Sequence, residues 1–317
     1  MALRHIIGQE RGVRILLGTL RRERVPSAML ISGDGGVGKK LAAITYAKAV
    51  NCLQPAEGDC CDACLSCRKI EAGIHPDVTV LLPEGEEIKI ETVRTIEEAL
   101  FLKPYEARKK VVIIDDADLM NSNAANAFLK TLEEPPEESL ILLLSPNPDR
   151  LPDTIKSRCT QVRFYPLPLE GVKRVIAGTT GKEAEALAVR LSMGRPGLAL
   201  SGDLEEEREW FMNLLDALLR GGSKEAWADR NEMKTWLDLS SVFLRDMAVE
   251  RITGREEDLL YGSSRYRLSR QTDIGAVFEA YRHLQRLRGL LDFNLNKSIS
   301  WNYAAQIVRP LLARSSS

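Results

Sequence analysis

The sequence predicts an α/β domain built on a parallel sheet, then a small helical domain, then a longer all-helical one. Three observations predict this. A strand, a glycine loop and a helix follow one another between Ala28 and Asn51. Short apolar runs then recur with helical stretches between them, the pattern of a parallel sheet with right-handed crossovers. Beyond Pro166 the strand signal fades and helical periodicity takes over.

Taken in order, an amphipathic opening segment leads to "AMLIS" (Ala28 to Ser32), which reads as a buried strand, and "KKLAAITYAKAVN" (Lys39 to Asn51) reads as a helix. A cysteine cluster interrupts the next connection. Further strands are expected at "VTVLL" (Val78 to Leu82), "VVIID" (Val111 to Asp115) and "LILLLS" (Leu140 to Ser145). The helical periodicity of Glu183 to Met193 stops at Gly194, Pro196 and Gly197. From "DLEEEREWFMNLLDALLRG" to about Leu312, leucines and aromatics recur at helical spacing with no β alternation, and "SSS" reads as a disordered end. The expected domains are 1–164, 165–203 and 204–317, with no internal repeat.

Composition narrows the classes of function. A chain of 317 residues, 44% hydrophobic and 28% charged with net charge −1, is expected to be a soluble globular protein of two or three domains. It is no polybasic DNA clamp, so contact with nucleic acid should be local or delivered through partners. Arg4, Arg11, Arg14, Arg21, Arg22 and Arg24 crowd the start without a long apolar core, and no apolar run approaches the ~20 residues of a membrane helix. The expected compartment is the reducing cytoplasm, with no membrane contact.

Gly33, Gly38 and Lys39 fit G-x-x-x-x-G-K, in which backbone N–H groups cradle phosphates and the lysine neutralises their charge. Three fixed positions arise by chance in roughly one chain of this length in ten, so context decides. Here the loop follows a strand and opens a helix, and Asp115 and Asp116 end a later apolar run as the acidic element of such a site. ATP or ADP is the expected ligand class. The next residue breaks the pattern: Lys40 stands where a hydroxyl binds magnesium, and a protonated ammonium offers no lone pair. It either points to solvent or adds charge beside a phosphate. Asp116 stands where a glutamate often orients water, one methylene short, and the ordinary reading of a strand-end carboxylate is preferred.

"NCLQPAEGDCCDACLSCRKI" spaces Cys52, Cys61, Cys64 and Cys67 as C-x8-C-x2-C-x2-C. Four thiolates make the closed shell of structural Zn2+, leaving no open position for a substrate. Cys60 could replace Cys61, although the two-residue spacing favours Cys61. Cys159 reads as a small buried residue, and His5, His75 and His283 have no partners in sequence.

Several stretches together resemble bacterial clamp-loader subunits: "IIGQE" (Ile6 to Glu10), the glycine loop, the cysteine insertion, "KVVIIDDADLMNSNAANAFLKTLEEPP" (Lys110 to Pro136) and "SRC" (Ser157 to Cys159). The resemblance covers about the first 200 residues well and weakly reaches "LLDFNLNKSISWN". It implies an α/β AAA+ P-loop domain with a zinc-bearing insertion, a helical lid and a C-terminal all-α collar. It also implies a role in ATP-driven loading of a sliding clamp onto primed DNA, in a hetero-oligomeric ring of motor ATPase subunits and a delta subunit. Arg158 matches the arginine that completes a neighbour's ATP site, where a permanently charged guanidinium stabilises phosphate charge; its ordinary alternative is a surface arginine in a salt bridge. Three departures favour a stator-like, delta-prime-type member over a motor. These are Lys40, Gly197 where motors carry a phosphate-sensing arginine, and Pro146 at or next to a polar sensor position. A motor-type ATPase is the rival reading, and a zinc-dependent DNA-binding module the distant one.

Overall fold

The computed structural model describes residues 1–314 except 84, 86, 184, 221–226, 256–257, 262–265 and 294. The "SSS" expected as a disordered end, at 315–317, lies outside the described residues. The chain divides into two compact units, one of residues 1–182 with Gly194–Gly197, the other of Glu183–Met193 with Leu198 onward.

The first unit is a five-stranded sheet flanked by helices. Its elements run α1 (Glu10–Arg21), β1 (Ala28–Ser32), α2 (Lys39–Val50), α3 (Leu65–Glu71), β2 (Val78–Leu81), α4 (Ile90–Phe101), β3 (Lys110–Ile114), α5 (Ser122–Glu133), β4 (Ser139–Ser145), α6 (Asp153–Lys156), β5 (Thr160–Arg163) and α7 (Leu169–Thr180). The strand order is β2-β3-β4-β1-β5 and every pairing is parallel. Central strands β1 and β4 are buried along their whole length, as strands covered by helices on both faces must be. Their apolar runs still alternate. Met29, Ile31, Leu140 and Leu142 enter one core with Tyr46 and Leu16, whereas Leu30, Ile141 and Leu143 enter the other with Phe128 and Val93.

Strand β5, absent from the sequence expectation, pairs Met29 with Thr160 and Ser32 with Arg163. Only Val162 of its four residues is buried, so this edge strand shows no apolar run to read. The order places β1 between β4 and β5, strands that follow it by more than 100 residues. The carboxyl ends of β1, β3 and β4 therefore converge at a switch in strand order, where open α/β sheets place their ligands.

The second unit is mainly helical: α8 (Ala186–Leu191), the rest of α9 (Pro196–Ser201), α10 (Leu204–Arg220), α11 (Arg230–Thr253), α12 (Ile274–Gly289) and α13 (Lys297–Val308). Asp229, Asp273 and Asn296 cap α11, α12 and α13 by accepting from Glu232, Ala276 and Ile299 N–H. Phe211, Trp227, Trp236, Phe243, Tyr261 and Trp301 fill one core. The expectation of no β structure here is corrected by β6 (Tyr266–Leu268) and β7 (Leu312–Arg314), which pair antiparallel. In β6 only Arg267 faces out between buried Tyr266 and Leu268, too short an alternation to register against helical periodicity. Pro196, expected to stop a helix, begins one, as proline's fixed φ suits a first helical position. No described helix is long and apolar enough to cross a membrane.

Candidate functional site

The glycine loop bridges β1 and α2 at the carboxyl edge of the sheet. Gly33 has φ +141, and a Cβ there would lie 2.3 Å from the Phe164 carbonyl oxygen, so only glycine fits this turn. Gly38 is the left-handed N-cap of α2. The structure thus brings Gly33, Gly38, Lys39 and Lys40 together with Asp115 and Asp116, which follow β3.

The two lysines of the loop are both engaged within the chain. Lys39, 8% exposed, donates to the carbonyls of Gly33 at 2.7 Å and Asp34 at 3.0 Å. Burial lowers its pKa, opposed by Asp116 and Asp115. The Lys40 ammonium lies 3.4 Å from Asp115 Oδ2. This ion pair with the strand-end aspartate is neither of the two placements expected for Lys40, because it joins residues far apart in sequence. Asp116 is in the left-handed region at φ 47, and burial together with Asp115 and Asp118 raises its pKa. The Ser145 hydroxyl, beside Pro146, donates to Asp118 at 2.7 Å. Gly197 N–H donates to Gly36 carbonyl at 2.8 Å, and a Cβ on Gly197 would meet Gly36 Cα at 2.9 Å.

Gln9, from "IIGQE", secures the same edge. Its side-chain amide donates to the Tyr165 carbonyl at 2.7 Å and accepts from Tyr165 N–H at 3.0 Å. The motif is local, but this task depends on Tyr165, 156 positions along the chain.

At the other end of α2, the Sγ atoms of Cys52, Cys61, Cys64 and Cys67 all lie within 4.8 Å of one another. Cys52 is 4.0 Å from Cys64 and 3.7 Å from Cys67. A tetrahedral ion with metal–sulfur bonds of ~2.3 Å requires sulfurs about 3.8 Å apart, so the donor set fits. Cys60 stands outside this group; its thiol is directed to the Met1 carbonyl at 3.8 Å, and burial raises its pKa to about 11. Backbone N–H groups point at the ligand sulfurs, Cys61 to Cys52 at 3.3 Å, Cys64 to Cys61 at 3.3 Å and Cys67 to Cys64 at 3.5 Å. Burial works to raise the Cys64 thiol, yet N–H donation from Cys67 and Leu53 brings it down to about 6. These four residues could hold a metal.

The insertion is fastened from beneath. Fully buried Lys48 donates to Asp62, inside the insertion, and to Glu71 on α3. Buried Asp59 accepts from Leu3 and Arg4 N–H, both at 3.1 Å. His75 is buried with Nε2 3.4 Å from Ser66 Oγ, and burial lowers its pKa. His283 lies against the Tyr303 hydroxyl at 2.8 Å, so these two histidines, without partners nearby in sequence, find hydrogen-bonding groups within the fold. Cys159 is buried, as expected.

Arg158 follows the short helix α6. Its side chain is 35% exposed and donates to the Thr154 carbonyl at 2.8 Å and to Glu133 Oε1 at 2.5 Å.

Comparison with known proteins matches this arrangement to one family. Residues 8–168 match the family described as "DNA polymerase III, delta subunit". The DNA polymerase III subunit delta' of Bacillus subtilis is 30% identical over 276 residues, 80% of each chain. The tau subunit of Escherichia coli is 34% identical over 178 residues, 56% of this chain but 28% of that one. A DNA polymerase III gamma subunit-related protein of Thermotoga maritima shares the fold, with TM-score 0.53 at 22% identity over 93% of this chain and 98% of its own. The tau match is partial where the delta' match runs through most of both chains, and the chain belongs to the DNA polymerase III delta-prime family of clamp-loader subunits.

Proposed function

We propose that this chain is a stator of the clamp loader, a subunit that supports ATP-driven loading of a sliding clamp onto primed DNA without turning over nucleotide itself. The observation that carries this reading is the Lys40–Asp115 pair. In working loops a hydroxyl at the Lys40 position and an acidic residue like Asp115 hold magnesium. Here the carboxylate faces the chain's own ammonium. Lys39 turned back on the loop carbonyls, and Gly197 in place of a longer side chain, support the same conclusion. Gly33, Gly38, Lys39, Lys40, Asp115 and Asp116 then maintain a fold and not a reaction.

The chemistry this subunit contributes is delivered outward. Arg158 supplies a guanidinium to a neighbouring motor subunit's ATP, stabilising phosphate charge in the transition state. Cys52, Cys61, Cys64 and Cys67 hold Zn2+, which when bound ties the insertion together as a closed structural shell. In functional terms the chain divides into a core (1–164), a lid (165–203) and a collar (204–317) that packs with collars of the motor and delta subunits in the cytoplasm.

The test is a titration of the isolated protein with fluorescent ATP, with and without Mg2+, followed by phosphate release on the same sample. The stator reading expects absent or metal-indifferent binding and no turnover. Mg2+-dependent binding with turnover would place the chain among the motor ATPases.

A further inference from the structure

The Arg158 side chain is held at two points that belong to different elements. One Nη1 N–H reaches the Thr154 carbonyl within α6, with Ser157 Oγ at 3.5 Å, and Nη2 donates to Glu133 Oε1 at 2.5 Å. Glu133 is the last residue of α5, in the "KTLEEPP" stretch. A guanidinium offers five N–H donors in a rigid plane, so these bonds leave further donors for an incoming anion.

Burial decides what the pair is for. Glu133 is 50% exposed and Arg158 35%, and ion pairs so open to water contribute little to folding. Orientation is another matter. An arginine side chain has considerable rotamer entropy, which must be lost when it engages a transferring phosphoryl group unless its plane is already fixed. A carboxylate on one side and a backbone carbonyl on the other fix that plane in advance. Glu133 also competes with phosphate for the same cation, but its half-exposed charge is screened by water and salt, so orientation outweighs competition.

Resting on the reading of Arg158 as a trans-acting group, we propose that Glu133 is its positioning residue, whose carboxylate holds the guanidinium ready for the neighbouring subunit's ATP. The pairing belongs to the isolated chain, so the finger is prepared before the ring assembles. Glu133→Ala would leave Arg158 tethered only through α6.

The experiment uses the complete reconstituted complex and measures DNA-stimulated ATP hydrolysis over a range of ATP concentrations, with assembly checked by gel filtration. Glu133→Ala is expected to lower kcat about tenfold at unchanged KM and unchanged assembly, less than the ~10³-fold of losing an arginine finger. Glu133→Gln keeps an acceptor oxygen in the same place and should recover most of the rate. Adding Glu133→Ala to Arg158→Ala should cost nothing more. An unchanged rate in Glu133→Ala beside an impaired Arg158→Ala would overturn the proposal. So would an equal loss in both backgrounds, which marks a structural role, or a lowered KM, which marks competition with phosphate. If Arg158→Ala is itself silent, the trans-acting reading fails first.

Discussion

Helix α2 carries a phosphate-type loop at one end and a cysteine cluster just past the other, and the two ends have met opposite fates. At the amino end every cationic group is satisfied from within: Lys39 by Gly33 and Asp34 carbonyls, Lys40 by Asp115. Past the carboxyl end, four sulfurs converge with N–H donors behind them and only one another in front. A polar site that satisfies itself retains its shape without a ligand, because no buried group is left unpaired. Four converging thiols can all ionise only when a cation joins them, since deprotonation without one sets like charges ~4 Å apart. The lesson is that a retained backbone shape and a retained chemistry are separate properties, and side-chain satisfaction tells them apart.

The largest effect that would break this contrast lies in the cysteines. Structural zinc sites contribute apparent binding energies of about 10–16 kcal/mol, most of which becomes folding energy of the segment they close. Purified protein is therefore expected to hold about one zinc per chain, and Cys64→Ser to lose it. The loss should be local. All four tryptophans, Trp210, Trp227, Trp236 and Trp301, belong to the second unit, so tryptophan emission should stay constant. Amide exchange between Cys52 and His75 should accelerate strongly. A zinc content near zero in protein never exposed to chelator, with that segment still protected, would show that the sulfurs pack without a metal.

The sequence made the cysteine set and the loop legible because both are read from spacing within one short stretch. Strands β1, β3 and β4 were legible for a related reason: burial on both faces leaves an unbroken apolar run. What escaped depends on pairs distant in sequence. Lys40 meets Asp115 across 74 intervening residues, and Arg158, in the turn after α6, meets Glu133 at the end of α5; nothing local announces either contact. The edge strand β5 and the ribbon of β6 and β7 escaped because one or two buried residues make no period. Cys60 against Cys61 was settled only by direction, since the Cys60 thiol turns toward Met1.

Asp77 sharpens the comparison as a buried group satisfied like the loop's, but by backbone alone. Its carboxylate accepts from Tyr105, Glu106 and Ala107 N–H at 2.8, 2.8 and 2.9 Å. Burial works to raise its pKa, but these donors outweigh burial and hold it below the ordinary value. A depressed folded pKa means the stabilisation is present above the unfolded value of about 3.9 and is lost as pH falls through the folded one. Asp77→Asn should cost about 2 kcal/mol in urea unfolding at pH 7 and progressively less toward pH 3. A difference independent of pH would assign the effect to shape rather than charge.

The smallest effect on stability carries the most direct test of the amino end of α2. Lys40 is 44% exposed, so breaking its pair with Asp115 should cost under about 1 kcal/mol. Lys40→Thr also returns a hydroxyl to the position that binds magnesium in working loops and frees Asp115 to face a metal. The variant is expected to bind fluorescent ATP at least about tenfold more tightly with Mg2+ than with chelator, where the parent is indifferent. If the variant stays indifferent, Lys40 is not what closes the site. Closure would then belong to Lys39 folded onto the loop carbonyls and to the Gly197 N–H held by Gly36, contacts that no single hydroxyl can undo.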